Sequence, residues 1–263
     1  MLDLCAEFFA RHPELSLGAL GAGANAEALD PAPFGKPLRY FRAEEHPELV
    51  ERYRAANGYA FPGELALPGW VLSDLYLLPG AIGLLLCPAR TLAVPLRKRL
   101  GLQSDDLAIA AAYLGAPTVT RGLFIGVSLI SLLPGIHAGA WVKALTLRML
   151  RATKIRGIAQ WQNPSVRVHT RMGPLRIVGA VPGTHEFRHK SFVYETDLSH
   201  EARWREAMSR RLSIAPSRRL KPDDVGALGD LLDRAEAGEI IHIVPPGLDA
   251  KDGLLIHEGP LPT

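Results

Sequence analysis

The sequence predicts a mixed α/β (α+β) fold in which a largely antiparallel central sheet carries helices on both faces. Three observations support this prediction. Segments with strand patterns alternate with segments with helix patterns along the chain. A nearly unbroken apolar stretch, GLFIGVSLISLL at 122–133, is typical of a strand buried on both faces and leads directly into a helical segment. The 263 residues suffice for one large domain or for a domain with appendages.

The first half of the chain shows clear start and stop signals for its elements. Pro47 suits the first position of a helix, Gly58 suits its C-terminal cap, and Pro79-Gly80 is a turn pair. Apolar spacing then predicts an amphipathic N-terminal helix, a strand in PLRYFRAEE (37–45), a helix in HPELVERYRAANG (46–58), a hairpin over 69–87, a short helix after Pro95, and strands in DDLAIAAAYLG (105–115) and GLFIGVSLISLL.

The second half of the chain continues the alternation of predicted strands and helices, and it ends in a segment that we expect to form an appendage to the main domain. The predicted elements are a helix in AWVKALTLRMLRA (140–152), strands in KIRGIAQW, PLRIVGAV and KSFVYETDL, helices within 199–212 and 221–238, and strands in EIIHIV and GLLIHEG. SVRVHTRM (165–172) alternates with a period of two, which predicts another strand. We therefore expect an N-terminal helical extension at 1–36, a main domain at 37–198 and a C-terminal helix-strand appendage at 199–263.

Composition and charge limit the function classes. Hydrophobic residues make up 48% and charged residues 22%, which indicates a folded globular chain. A net charge of +3 is too small to predict nucleic-acid binding, although the basic clusters RATKIR and SRRLSIAPSRRLK could contact phosphates or be solvated faces. The two cysteines, Cys5 and Cys87, predict neither a disulfide framework nor a zinc site and suit a reducing cytoplasm.

Two further sequence features leave alternatives open. Residues 122–142 form 21 positions without a formal charge, which fits either a membrane span interrupted by Pro134 or a strand, turn and helix of a globular core. His185, Glu186 and His189 would suit a metal only if their segment were helical, and its place between two strands argues against this. We expect no metal.

The stretch PGIHAGAWVKAL (134–145) is the best candidate for a binding site. A strand that feeds a small-residue turn and then a helix exposes backbone N–H groups at the positive end of the helix dipole. Such a place binds phosphate or pyrophosphate. Gly135, Ala138, Gly139 and Ala140 would let phosphates approach the backbone, although a turn of this kind also serves as a packing corner.

The order of strand, PGIHAGAWVKAL, helix, strand and NPSVRVHTRMGPLRIVG resembles the second half of the GNAT-type N-acyltransferase superfamily. That family has a loop of the form R-G-x-G-x-G before alanine and leucine. His137 takes its arginine position, and Ala138, Ala140 and Val142 take its glycine positions. Ala144-Leu145 match directly, while Asn163 and Gly173 fit the later asparagine and glycine. The resemblance spans residues 37–198 in order and 134–179 in recognisable residues.

The resemblance implies a GNAT-like fold and an acyl-coenzyme A co-substrate whose pyrophosphate is held by the loop amides and whose pantetheine arm pairs with the preceding strand. The residues it assigns to coenzyme binding are Leu132, Leu133, His137, Ala138, Gly139, Ala140, Trp141, Val142 and Asn163. It also implies a short helix where SVRVHTRM alternates.

The resemblance implies a proton donor and a general base as well. Counted back from Gly173, the family's tyrosine position is His169, whereas counted forward from Asn163 it is Thr170. An imidazole can act as an acid near pH 7. The strand before the loop carries no carboxylate, so the candidate bases lie elsewhere, at Asp74, at Asp105 or Asp106, and at Glu195. Burial in an apolar hairpin would raise the pKa of Asp74.

Three functional hypotheses follow. The first is an acyltransferase that moves an acyl group from a coenzyme A or carrier-protein thioester to an amine acceptor, such as a small molecule. The second is a non-catalytic ligand- or partner-binding protein on a similar scaffold. The third is a membrane-associated protein. Peripheral membrane contact and a homodimer stay open in all three.

Overall fold

The computed structural model describes residues 2–21, 38–61, 63, 66–76, 78, 81–181, 190–251 and 253–262. The chain divides into two compact units. The first unit consists of Met1–Arg121 and Gly126–Ala152, and the second consists of Gly122–Ile125 and Thr153–Thr263. The sequence-derived boundaries after residues 36 and 198 stay predictions.

The first unit combines helices with strands of one sheet. Its elements are α1 (Leu2–Arg11), β1 (Ser16–Gly21), β2 (Leu38–Arg42), α2 (Pro47–Ala60), α3 (Gly69–Tyr76), β3 (Ile82–Pro88), α4 (Val94–Arg99), β4 (Leu107–Pro117), most of β5 (Leu123–Ser131) and α5 (Ala138–Met149). The strands run in the order β2-β1-β3-β4-β5. β1 pairs in parallel with β2, whereas the β1–β3 and β3–β4 pairs are antiparallel.

Helices α2 and α5 lie on opposite faces of β5. Asn57 of α2 contacts Ser128, while Gly139 of α5 lies against Leu129 and Ser131. Because successive strand residues point to opposite faces, these contacts place the two helices on either side. Helix α5 is buried along nearly its whole length.

The second unit begins with the first residues of β5. Its other elements are β6 (Lys154–Gln160), α6 (Ser165–His169), β7 (Leu175–Ala180), β8 (Ser191–Asp197), α7 (Glu201–Met208), β9 (Arg218–Leu220), α8 (Val225–Glu236), β10 (Ile241–Leu248) and β11 (Leu254–Glu258). The strand order is β5-β6-β8-β7-β10-β11-β9. β5 and β6 are parallel over three residues, whereas the β6–β8, β8–β7, β7–β10, β10–β11 and β11–β9 pairs are antiparallel.

Local sequence patterns explain one strand and one helix of the second unit. β6 alternates strictly between exposed and buried residues, as a strand with one face on a core should. Asp224 caps α8, because its side chain accepts a hydrogen bond from the backbone N–H of Ala227 at 3.0 Å. Leu228, Leu231 and Leu232 of α8 pack into a core with residues of β6, β7, β8, β10 and β11. The appendage joins the sheet because β10 pairs with β7.

The fold class is confirmed, since the sheet is mixed and largely antiparallel with helices packed on it. Three local predictions are wrong. Gly58 lies inside helix α2, which ends at Ala60, and is not its C-terminal cap. Residues 69–76 form helix α3 and not the first strand of a hairpin, whose turn at 79–80 lies outside the described residues. Residues 165–172 form α6 and a 3-10 turn at Thr170–Met172, so the short helix implied by the resemblance is present in place of a strand. Strand β1 was not predicted from the sequence.

Candidate functional site

The loop between β5 and α5 has an unusual backbone. Gly135 has φ of 84° and His137 has φ of 56°, so both are left-handed. A residue with a β-carbon pays about 1 kcal/mol for that conformation, which makes His137 a constrained position. The carbonyl oxygen of His137 accepts hydrogen bonds from the backbone N–H groups of Ala140 at 3.0 Å and Trp141 at 3.2 Å. These bonds fix the point at which the helix starts.

The loop exposes its first residues to solvent, and the helix start that follows it is buried. Pro134, Gly135 and His137 are exposed, whereas Ala138 and Ala140 are buried. A β-carbon added at Gly135 would meet nothing within 4 Å, so a ligand can reach the backbone there. A β-carbon added at Gly139 would lie 3.2 Å from Cβ of Ser131, so the helix start approaches the strand end closely.

These features make the start of α5 suitable for an anion. The helix has 12 residues, and its first-turn N–H groups have no carbonyl one turn earlier within the helix. The aligned peptide dipoles add partial positive charge at the same end. Phosphate groups bind at such places through backbone N–H groups. Because Ala140 and Trp141 already donate to the carbonyl of His137, the N–H groups that remain for an anion are those of Ala138 and Gly139.

The remaining residues assigned to coenzyme binding have different surroundings. Leu132 is buried, and its N–H donates to the carbonyl of Ala110 at 2.8 Å. Leu133 is half-buried. Trp141 stacks on Phe8 with a centroid distance of 4.6 Å, and Val142 is buried, so both side chains belong to the core of the first unit.

Asn163, in the second unit, has a structural contact. Its side-chain oxygen accepts a hydrogen bond from the backbone N–H of Ser165 at 2.8 Å, at the start of α6. This local bond favours the helical turn over the strand that the alternating sequence suggested.

Asp74 lies on α3 in the first unit and is exposed. The buried hairpin that singled out its carboxyl group is therefore absent. Asp105 and Asp106 are each paired with an arginine, Asp105 with Arg90 and Asp106 with Arg52, both at 3.1 Å.

His169 and Glu195 lie on opposite faces of the sheet in the second unit. The ring of His169 is 5.2 Å from that of Tyr194, whose side chain points into the core. Glu195 is the next residue of β8, so its side chain points to the other face. There its Oε1 accepts hydrogen bonds from Arg156, and its Oε2 lies 3.6 Å from Nζ of Lys154. The structure does not bring these two candidates together.

Lys143 was missed as a candidate. In the sequence it only ends the uncharged stretch, but on α5 it is completely buried, with 0% exposed. Its Nζ lies 5.9 Å from the centre of the Tyr113 ring. Burial lowers the pKa of Lys143 to about 7, because the interior disfavours the charged form. The sequence signal was a lysine with apolar neighbours on both sides, Val142 and Ala144.

A buried polar cluster of Tyr53, Asn57 and Ser128 was also missed. The side-chain nitrogen of Asn57 donates to the Ser128 hydroxyl at 3.3 Å, and its oxygen accepts from the backbone N–H of Leu67 at 2.8 Å. Burial raises the pKa of Tyr53. The cluster ties α2 to β5 and to the segment that precedes α3.

The part of the chain that the structure describes bears on the metal and membrane alternatives that the sequence raised. No group of three or more His, Cys, Asp or Glu residues there could hold a metal ion. His185, Glu186 and His189 lie outside the described residues. Within the described ranges, none of the helices has both the length and the apolar character needed to cross a membrane. Residues 122–142 form a strand, a loop and the start of a helix.

No protein-family model matches the chain, and no curated protein matches it. Solved structures of acetyltransferases are similar to it at low identity. Naa50 from Arabidopsis thaliana, in complex with the bisubstrate analogue CoA-Ac-MVNAL, is 11% identical with a TM-score of 0.41, and the match covers 70% of this chain and 99% of that one. The ribosomal-protein-S18-alanine N-acetyltransferase of Escherichia coli is 9% identical with a TM-score of 0.40, covering 70% and 94%.

A GNAT-family acetyltransferase from Bacillus anthracis is 9% identical with a TM-score of 0.37, and the match covers 71% of this chain and 96% of that one.

Proposed function

We propose that this chain is a GNAT-type acyltransferase that takes an acyl group from a coenzyme A or carrier-protein thioester and passes it to an amine. The observation that carries the proposal is the loop between β5 and α5. Its left-handed Gly135 and His137 face outward, and small residues start a 12-residue helix directly behind them. The resemblance assigns the pyrophosphate of the coenzyme to the backbone amides of this loop.

The residues of the loop fit a pyrophosphate group. The N–H groups of Ala138 and Gly139 would hold its oxygens, and the absence of a side chain at Gly135 leaves the backbone accessible. His137 lies at the exposed edge, where a protonated imidazole would add a positive charge. Leu132 and Leu133 continue the path from the loop onto β5 for the pantetheine arm. The thioester supplies an acyl group that is activated toward an amine.

For the proton donor we favour His169 over Thr170. The Thr170 hydroxyl donates within its own helical segment, to the carbonyl oxygens of Val166 at 3.1 Å and Arg167 at 3.3 Å. His169 has 9% of its surface exposed and carries an imidazole, which can donate a proton near neutral pH. A base among Asp74 and Glu195 stays a hypothesis, and D74N and E195Q test it.

The experiment is release of free thiol from acetyl-coenzyme A and from a long-chain acyl-coenzyme A, with a panel of amines. We expect amine-dependent release by the unaltered chain, a loss of about 10²-fold or more in kcat for H169Q, and little loss for T170V. Amine-dependent release that H169Q leaves unchanged would remove His169 from the mechanism. No release from either thioester, with any amine, would contradict catalysis.

A non-catalytic ligand-binding protein is the second candidate function. One observation about the two candidate general bases favours it. Asp74 is exposed on α3, and Glu195 is paired with the cationic side chains of Arg156 and Lys154. Saturable binding of acyl-coenzyme A without thiol release would support this candidate over the enzyme.

We also propose a reducing compartment such as the cytoplasm. Cys5 and Cys87 are both free and buried, and burial raises the pKa of each thiol to about 11. Thiols in this state react slowly.

A further inference from the structure

A group of nitrogen-bearing side chains lies on one face of the second unit, apart from the proposed coenzyme loop. His242 on β10 is directly opposite Arg176 on β7 and directly opposite His257 on β11. Residues opposite each other in antiparallel strands share a face with β-carbons about 5 Å apart. Arg203 of α7 is a fourth member: its guanidinium donates to the carbonyl of Pro262, three residues after Gly259, whose backbone bonds to His242, and its charge helps to lower the pKa of His242.

His242 is the buried member of this group. Only 7% of it is exposed, and its Nδ1 has no hydrogen-bond partner among the described residues. Burial and the nearby His257, Arg176 and Arg203 lower the pKa of His242 to about 4, while a hydrogen bond to the backbone of Gly259 opposes the shift. Every charged group that acts on this imidazole is therefore basic.

The two arginines are available to a ligand. Arg176 is exposed, and within the described ranges it forms no ion pair, because the neighbouring carboxylate of Glu195 is engaged by Arg156 and Lys154. Arg203 donates one bond, to the carbonyl of Pro262 at 3.1 Å, and a guanidinium has five N–H donors. Both ring nitrogens of His257 lie within hydrogen-bonding distance of backbone carbonyls, those of Ala215 at 3.1 Å and Pro260 at 3.2 Å, so this residue offers no further contact.

We propose that Arg176, Arg203 and His242 form a binding site for an oxyanion, the phosphate or carboxylate group of a small ligand. An oxyanion would accept charge-assisted hydrogen bonds from both guanidinium groups and from Nδ1 of a protonated His242. It would also replace the repulsion among the basic groups by attraction. The site belongs entirely to the second unit and is independent of the acyltransferase proposal.

The test is a histidine-ring NMR titration of the full chain near pH 5.5 with inorganic phosphate, and separately with acetate, at constant ionic strength set by sodium chloride. We expect a saturable shift of the His242 ring signals and a His242 pKa that rises above about 4. Saturation by phosphate alone identifies a phosphate ligand, and saturation by acetate as well identifies a general oxyanion site.

Matched variants keep the test decisive. R176Q removes an exposed charge, so it should fold as before and weaken anion binding at least about tenfold. R203Q should weaken it similarly, and R218Q, which removes an exposed arginine on β9, should not. No saturable shift with either anion, or equal responses of R176Q and R218Q, would overturn the proposal.

Discussion

Gly139 of helix α5 lies against Ser131 at the end of strand β5, so closely that a β-carbon on Gly139 would be 3.2 Å from Cβ of Ser131. This contact joins the last strand residue to the first helical turn. It lets the first turn of the helix approach the end of the strand closely, because Gly139 has no side chain at the point of contact.

The first prediction compares Gly139 with Gly58, a second helical glycine. A β-carbon at Gly58 of α2 would meet nothing within 4 Å. G58A should therefore raise the free energy of unfolding by about 1 kcal/mol, as the change from glycine to alanine does in an exposed helix. G139A should give no such gain, and G139V should lower stability by about 1–3 kcal/mol through overpacking. Urea unfolding measures all three, and equal gains for G58A and G139A would show that the contact is not tight.

The second prediction concerns Lys143 and pH. The folded-state pKa is about 7, against an ordinary value of 10.5, so between these values the unfolded chain binds a proton that the folded chain lacks. Stability then rises with pH by about 1.4 kcal/mol per unit. K143M should be more stable than the unaltered chain at pH 7, and the advantage should shrink toward pH 9. Urea unfolding at both values tests this, and a constant difference between the two proteins would contradict the buried neutral amine.

The third prediction concerns the ion pair of Glu195 and Arg156. Glu195 has 13% of its side chain exposed and Arg156 has 47%, so the pair is partly screened by solvent. E195Q and R156Q should each cost about 1 kcal/mol, and the double variant should cost less than the sum. Strict additivity in thermal unfolding would show that the two groups do not interact. Unchanged thiol release by E195Q would assign Glu195 to structure alone.

The sequence predicted secondary structure best where a single hydrophobic pattern extended over a whole element. The apolar run at 122–133 contains β5, and the spacing after it became α5, because a continuous apolar run and a helical period are distinct signatures. The expected burial of the strand on both faces is wrong, since within β5 only Ser128 and Ile130 are buried. The alternation in SVRVH misled because hydrogen bonds decided its conformation. Asn163 bonds to the backbone of Ser165, and Thr170 bonds back to the carbonyl of Val166.

Other features depend on distant residues and could not be predicted. The segment GWVLSDLY has no clear period of its own, and it is helical in the structure. Burial of Lys143 results from packing between α5 and the sheet, which no local pattern reports. The pairing of Glu195 with Arg156 arises from the register of β6 and β8, in residues 39 positions apart.

The most direct test of coenzyme binding at the loop is thermal unfolding of three proteins with coenzyme A: the unaltered chain, H137N and H137D. Asparagine and aspartate both tolerate the left-handed conformation at position 137, and only aspartate adds a negative charge. At 100 times the dissociation constant, coenzyme A should stabilise the unaltered chain by about 2.7 kcal/mol. This corresponds to a rise in Tm of about 5–10 °C for a chain of this size. H137N should keep most of that rise and H137D should lose it. No rise in the unaltered chain, or an equal rise in H137D, would contradict phosphate binding at this loop.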